Sequence, residues 1–401
     1  MQNKIIGIAA ALLLLAGCMN FEKPYPPESL SRLTVKAVYP EGFAPAGLAS
    51  VTIENVLGGV GYELVMEDHA GTSVLLPDGI YRVSVSLREG MDVFNGSRDH
   101  VVINGQDMQL DVPLLHARAG ALVIKEIYCG GCPKTPAEGT YQSDQYVIIH
   151  NNSPVVTYLD GLCMGSVAPY NSNANNPWLA EDGSLPDFLP INDAIVAVPG
   201  DGDDFPLQPG EDAVIALRGA IDHAAQYPLS VNLNKPDYFV CYNTTYFPNQ
   251  TYHPAPGNLI REDHYLEVVI KTGQSNAYTL SLNSPAFVIF RSQGVDIHDY
   301  VQQEGAVRQT PGSTIYVSTI PYEWVVDGVE VFNGSSSNNR KRLPASIDAG
   351  YVSLSETFKG FSLMRKTDQE ATGENGYEVL LDTNNSNTDL YERGSQSLHK
   401  E

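Results

Sequence analysis

Positive charge is scarce in this chain. Its 401 residues carry 24 Lys and Arg against 47 Asp and Glu, a formal charge of −23. That balance argues against a nucleic-acid partner, because phosphate backbones are held by Lys and Arg. It suits a solvated, exposed protein and is compatible with cations or a basic partner. Long Ala/Leu/Glu/Lys stretches are also missing, so long helices and coiled coils are not expected. There is no G-x-S-x-G, no P-loop and no dinucleotide fingerprint. With no catalytic motif in support, the expectation is a protein that is not an enzyme. Apart from the first residues, no stretch approaches the roughly 20 apolar residues that a membrane-spanning helix needs.

What is abundant is glycine, proline, asparagine and tyrosine, the composition of short strands joined by turns. The fold class expected is therefore all-β. The chain is long enough for two or three domains.

The N-terminus reads MQNKIIGIAAALLLLAGC. One cation, Lys4, precedes an apolar run from Ile5 to Ala16, too short to span a bilayer and matching the core of a signal peptide. Leu15-Ala16-Gly17-Cys18 resembles a lipobox, which implies cleavage after residue 17 and acyl chains on Cys18. Each buried methylene contributes ~0.8 kcal/mol, so two or three chains anchor stably. Residues 18–29 read as a polar, proline-rich tether.

Residues 30–118 alternate as strands do. In LTVKAVYP (33–40), Leu33, Val35, Ala37 and Tyr39 share a face; in GIYRVSVSL (79–87), Tyr81, Val83, Val85 and Leu87 point in and Arg82, Ser84 and Ser86 out. Pro77-Asp78-Gly79 reads as a turn, and a last strand falls near 107–114. This unit resembles the transthyretin-like or carboxypeptidase-regulatory-like sandwich of bacterial surface proteins, which implies a spacer or binding platform.

Residues 119–401 read as a second β unit. Its pieces include IKEIYCGG, SDQYVIIHNNSPVVTYLDGL, LQPGEDAVIAL (207–217), HYLEVVIK (264–271), AFVIFR (286–291), IPYEWVVDGVEVF (320–332) and VLLDTNNSNTD (379–389). The order of these pieces is similar to the lamin-tail fold. More broadly, residues 119–390 resemble an uncharacterised family of Bacteroidetes surface lipoproteins, a domain of unknown function. The resemblance implies two β-sandwiches on a lipid anchor at the outer membrane, facing the periplasm or the outside. It also implies a binding or accessory role, such as substrate capture for a TonB-dependent transporter in metal, haem or siderophore uptake. Two alternatives remain open. One is a fimbrillin-like pilin or adhesin matured by cleavage at Arg32; the other, least favoured, is a surface hydrolase.

Candidate sites follow from local composition. Cys129, Cys132, Cys163 and Cys241 lie behind an export signal, where disulfides persist. Four thiols allow three pairings; the expectation is Cys129 with Cys132 and Cys163 with Cys241. The Cys-x-x-Cys spacing also occurs in redox and metal sites, but here the first cysteine follows a strand rather than opening a helix. Asp382, Asn384, Ser386 and Asp389 gather hard oxygens that suit calcium or another metal, although Asx-turns explain the same residues. Asp201-Gly202-Asp203-Asp204 reads as a solvated acidic loop. His150, His223, His253, His264 and His298 share no ligand spacing. The long polar stretches 166–190 and 243–262 are not expected in a core; loops of that length are usually functional or mobile. In the second, Tyr242, Tyr246, Phe247, Tyr252 and His253 form a candidate contact surface for haem, a siderophore or a glycan.

Overall fold

A computed structural model describes residues 30–56, 61–68, 71–89, 92–118 and 120–399. The expected signal peptide, Cys18 and tether lie outside the described residues. Strands dominate and, among the described residues, no helix exceeds seven residues, so the all-β expectation holds. Among the described residues no helix is long and apolar enough to cross a membrane.

The first unit contains β1 (Leu30–Val38), β2 (Ser50–Asn55), β3 (Gly61–Val65), β4 (Thr72–Pro77), β5 (Gly79–Glu89), β6 (Asp92–Ile103), β7 (Met108–Pro113) and β8 (Leu115–Arg118). They form two sheets, ordered β4-β1-β7 and β3-β2-β5-β6-β8. The alternation read from sequence sets the core: Leu33, Val35, Tyr81, Val83 and Val85 are fully enclosed between the sheets. Ser84 and Ser86, expected outside, are buried as well.

The second unit contains β9 (Leu122–Tyr128), β10 (Cys132–Pro133), β11 (Thr140–Tyr141), β12 (Tyr146–Asn151), β13 (Thr157–Tyr158), β14 (Cys163–Val167), β15 (Leu189–Ala197), β16 (Pro206–Leu207) and β17 (Asp212–Ala216). It continues through β18 (Phe239–Val240), β19 (Glu267–Lys271), β20 (Ala286–Phe290), β21 (Val307–Gln309), β22 (Tyr316–Ile320), β23 (Val325–Asn333), β24 (Val352–Leu354), β25 (Ser362–Arg365) and β26 (Leu390–Arg393). One sheet runs β18-β17-β12-β9-β25-β26; the larger runs β21-β22-β15-β14-β20-β23-β24, with β19 also paired to β15. Between them lies the main core, with Val147 and Ile149 of one sheet facing Met164, Phe287 and Ile289 of the other.

Both sheets are covered on their outer faces too. Tyr128, Tyr146, Ile148 and Val214 pack outward against Val231, Leu233 and Ile260 of the long segment after β17. On the larger sheet, Cys163, Ile191, Val288 and Phe290 pack against Ile297, Trp324 and Leu343. A strand buried on both faces loses the in-out alternation of a half-exposed one. That is why YVIIH and AFVIF read as continuous apolar runs.

The two units meet through polar contacts at the loop after residue 381. Asn95 Nδ2 donates to the Thr383 carbonyl (2.5 Å) and Arg88 Nη1 to that of Asp382 (3.1 Å). Nearby, the Arg82 guanidinium lies 4.8 Å from the centre of the Tyr351 ring, whose hydroxyl donates to Glu54 (2.8 Å).

Candidate functional site

The cysteines are placed differently from the expectation: all four are buried free thiols. Cys163 sits on the outer face of the larger sheet and Cys241 in the core between the sheets, so that pair is separated by the sheet itself. Cys129 Sγ points to the Leu282 carbonyl (3.7 Å), whereas Cys132 Sγ points to Asp144 (3.5 Å). Gly131 turns the chain between them at φ +73°; a Cβ there would lie 2.1 Å from the Tyr141 carbonyl oxygen, so only glycine fits. Burial pushes the thiols of Cys129, Cys132 and Cys163 up to about 12, which removes the thiolate that redox chemistry requires.

The oxygen-rich loop carries its own cation. Arg365 Nη2 donates to Asp327 (2.6 Å), and Nη1 lies 3.4 Å from both Asp382 and Asp389. Asp389 also accepts from the Thr383 amide (2.8 Å) and hydroxyl (2.7 Å), and Ser386 Oγ donates to Asp348 (2.6 Å). Asn384 takes a left-handed turn at φ 50° beside the first unit. The donors picked out for a metal are thus spent on a guanidinium and on the joint between units. Among the described residues, no group of three or more His, Cys, Asp or Glu is placed to hold a metal ion.

The tyrosine-rich loop divides. Tyr246 and Tyr252 are exposed, but Phe247 and His253 are fully buried, correcting the expectation that this stretch lies outside the core. His253 stacks on Tyr242 at 4.9 Å, and its Nε2 accepts from the Asn243 amide (3.0 Å), so the loop is fastened by its own aromatic residues. The remaining histidines are structural where buried. His150 bridges Asp212 (2.6 Å) and the Glu378 carbonyl (2.9 Å), and His223 links the Tyr141 hydroxyl (2.6 Å) to the Gly219 carbonyl (2.8 Å). The 201–204 loop wraps the Asp160 carboxylate, which accepts amides of Gly202, Asp204 and Phe205.

The feature with binding character is a cleft divided by Tyr170. On one side is a basin of about 290 Å³ walled by Arg218, Asn171, Asn283 and Gln142; on the other, one of about 600 Å³ walled by Asp193, Gln274, Ser275 and Tyr316. Tyr170 and Thr279 border both, and their hydroxyls are hydrogen-bonded at 3.1 Å. Together the basins lie in the volume range of small-molecule sites, roughly 300–1,000 Å³.

The fold fixes this ridge from beneath. Arg342 and Glu330, both buried, pair at 2.6 Å, and Arg342 Nη1 donates to the Pro169 carbonyl (3.0 Å), holding the backbone that presents Tyr170. In the larger basin, Asp193 bulges out of β15 at φ 65°, where the register with β14 shifts. Its carbonyl accepts the amides of Thr272 (2.6 Å) and Gly273 (3.0 Å), and its carboxylate accepts the Ser275 hydroxyl. A Cβ on Gly273 would meet the Asp193 carboxylate at 2.1 Å, so this close approach also demands glycine. Ser275 and Asp193 form no hydrogen bond to a histidine among the described residues, so no nucleophile–base relay is assembled there.

Residues 208–397 match the family model described as "Protein of unknown function (DUF4876)". The match takes in Arg218, Ser275 and Thr279 but stops short of Tyr170 and Asp193. The chain is also similar to the crystal structure of a DUF4876 family protein from Bacteroides thetaiotaomicron VPI-5482. They share 26% identity over 91% of this chain and 95% of that one, with a TM-score of 0.56. None of the curated proteins matches the chain.

Tyr170 falls in the 166–190 stretch, one of the two whose length reads as functional or mobile. Arg218 and Asp193 are legible only in hindsight. Arg218 is a lone cation closing the apolar strand AVIAL, and Asp193 interrupts an otherwise apolar strand.

Proposed function

We propose that this chain is an outer-membrane lipoprotein, anchored through Cys18, that holds a small polar ligand in the cleft divided by Tyr170. In this reading the first unit is a spacer that lifts the second away from the membrane. The chain captures its ligand for a TonB-dependent transporter, with which it associates at the outer membrane. The observation that carries the binding role is the pair of contiguous basins sharing an aromatic ridge whose backbone is fixed by a buried ion pair. Preformed clefts of this size, with a few convergent polar groups, are what small-ligand recognition needs. The polar side chains around the smaller basin, Arg218, Asn171, Asn283 and Gln142, favour a hydroxylated or amide-bearing ligand there over haem, which requires a broad apolar slot.

The test is a thermal-shift panel on the mature chain, with neutral and acidic oligosaccharides, haem and a ferric siderophore. One class is expected to raise the melting temperature of the wild type and not that of Tyr170→Ala. No stabilisation by any class, or stabilisation that survives Tyr170→Ala, refutes the reading. Cross-linking in intact cells tests the transporter partner separately.

A further inference from the structure

Arg218 is a buried guanidinium without a carboxylate. It is only 8% exposed, and it lines the smaller basin. Its Nε donates to the Tyr252 carbonyl (3.0 Å), which fixes the direction of the side chain. Among the described residues, neither of its Nη groups makes a hydrogen bond and no acid lies within ion-pair distance; the guanidinium also lies 5.7 Å from the centre of the Tyr252 ring, a contact that supplies no countercharge. Asp144 acts on it from farther away, and that carboxylate is already bonded to Tyr128 (3.0 Å) and Ser230 (2.6 Å). Desolvating a charge without pairing it is costly, so such a group needs a compensating partner.

The rest of the basin is built the same way. Asn171 Oδ1 accepts the Ser281 hydroxyl (2.6 Å) and Asn283 Oδ1 that of Ser284 (2.8 Å), while among the described residues neither side-chain amide group donates a hydrogen bond. Gln145 donates to the carbonyls of Cys129 (2.8 Å) and Leu280 (3.1 Å) and accepts the Leu280 amide (3.1 Å), so this lining side chain is held in place. In a chain of charge −23, no acidic residue lines this basin. Donors converge, and no carboxylate opposes them. Across Tyr170 the character changes: the larger basin offers the Asp193 carboxylate, the Ser275 hydroxyl and the Tyr316 ring.

We infer that Arg218 receives the carboxylate of an acidic saccharide, a uronate unit, whose neutral hydroxylated remainder crosses Tyr170 into the larger basin. The planar guanidinium matches a carboxylate with two parallel hydrogen bonds, and the Asn171 and Asn283 amides complete the cradle. A tyrosine ridge suits the C–H face of a sugar ring, and mixed donors and acceptors beyond it suit hydroxyl groups. This assignment rests on the cleft being the binding site and adds the class of ligand.

The test is calorimetric titration of the full mature chain with trigalacturonate and with the same trisaccharide after reduction of its carboxyl groups. Trigalacturonate is expected to bind the wild type, and Arg218→Gln to weaken it by about 30-fold or more. The reduced trisaccharide should bind the wild type about as weakly and be indifferent to Arg218→Gln. Arg218→Lys, which keeps the charge and loses the planar fork, should fall between. Arg218→Gln gives up the bond to the Tyr252 carbonyl and the contact with the Tyr252 ring, so it should melt at most a few degrees lower and still unfold cooperatively, which separates lost binding from lost folding. Equal affinity for the two trisaccharides, no effect of Arg218→Gln, or no binding of trigalacturonate to the wild type would each overturn the inference. If Tyr170→Ala weakens both trisaccharides while Arg218→Gln weakens neither, the cleft stands as the binding site and only the ligand class falls.

Discussion

Replacing Arg365 with methionine is the sharpest perturbation of the second unit. Arg365 is buried with Asp327, Asp382 and Asp389, three carboxylates against one guanidinium, and it also donates to the carbonyls of Ile124 (2.9 Å) and Leu381 (3.1 Å). Burial raises the carboxyls of Asp327 and Asp389 from 3.8 to about 7, even though Arg365 pulls both back down. These groups hold protons in the folded chain that they release when it unfolds. Their contribution is full below pH 3.8, declines as pH rises, and is gone once pH passes about 7. At 1.36 kcal/mol per pH unit, one such carboxyl is worth about 4 kcal/mol across that window.

Without the guanidinium the acids are raised further, so Arg365→Met should keep losing stability above pH 7, where the wild type has levelled off. At pH 5 Asp327 and Asp389 are protonated and need no cation, so the deficit should shrink toward the two lost carbonyl bonds and the lost contact with Asp382, about 2 kcal/mol. At pH 8 it should reach about 3–5 kcal/mol, the cost of breaking a buried charge cluster by removing one partner. Urea unfolding of both proteins at pH 5 and pH 8 reads this directly. A deficit that is the same at both pH values, or under about 1 kcal/mol at pH 8, would refute the reasoning.

The four cysteines should resist thiol reagents in the native chain and all react after denaturation without reductant; a missing thiol would mean that a disulfide forms after all. His253 should titrate near about 4, held down first by burial and then by Arg218. Its stabilising share is therefore present above 6.5 and lost as pH falls toward about 4, and a nuclear magnetic resonance titration midpoint near 6.5 would contradict its burial. Tyr170→Phe, which removes only the hydroxyl bonded to Thr279, should keep most ligand affinity if the ring supplies the contact. A loss as large as that of Tyr170→Ala would shift the role to the hydroxyl.

The first unit was legible in the sequence because its strands alternate apolar and polar residues, even where, as at Ser84 and Ser86, the polar face is covered too. Leu33, Val35, Val83 and Val85 alternate with polar residues, and the core follows the alternation. In the second unit the strands were visible but their faces were not, since Ile148 and Val147 point to opposite sides and both are enclosed. Composition misled where partners come from far along the chain. The oxygens near 382–389 suggested a cation, and Arg365 supplies one from 17 residues before Asp382. Phe247 and His253 stand in a polar stretch yet fill the core, because that stretch folds back over a sheet. That Arg218 closes an apolar strand is visible locally, but that no carboxylate reaches it is a property of the whole surrounding fold.

The most direct test of the account is a crystal structure of the mature chain grown with trigalacturonate. The account requires density across both basins, one sugar ring over Tyr170 and one carboxylate on the Arg218 guanidinium. A ligand seated elsewhere, such as against Tyr246 and Tyr252, or a cleft without density at saturating trisaccharide, would contradict it.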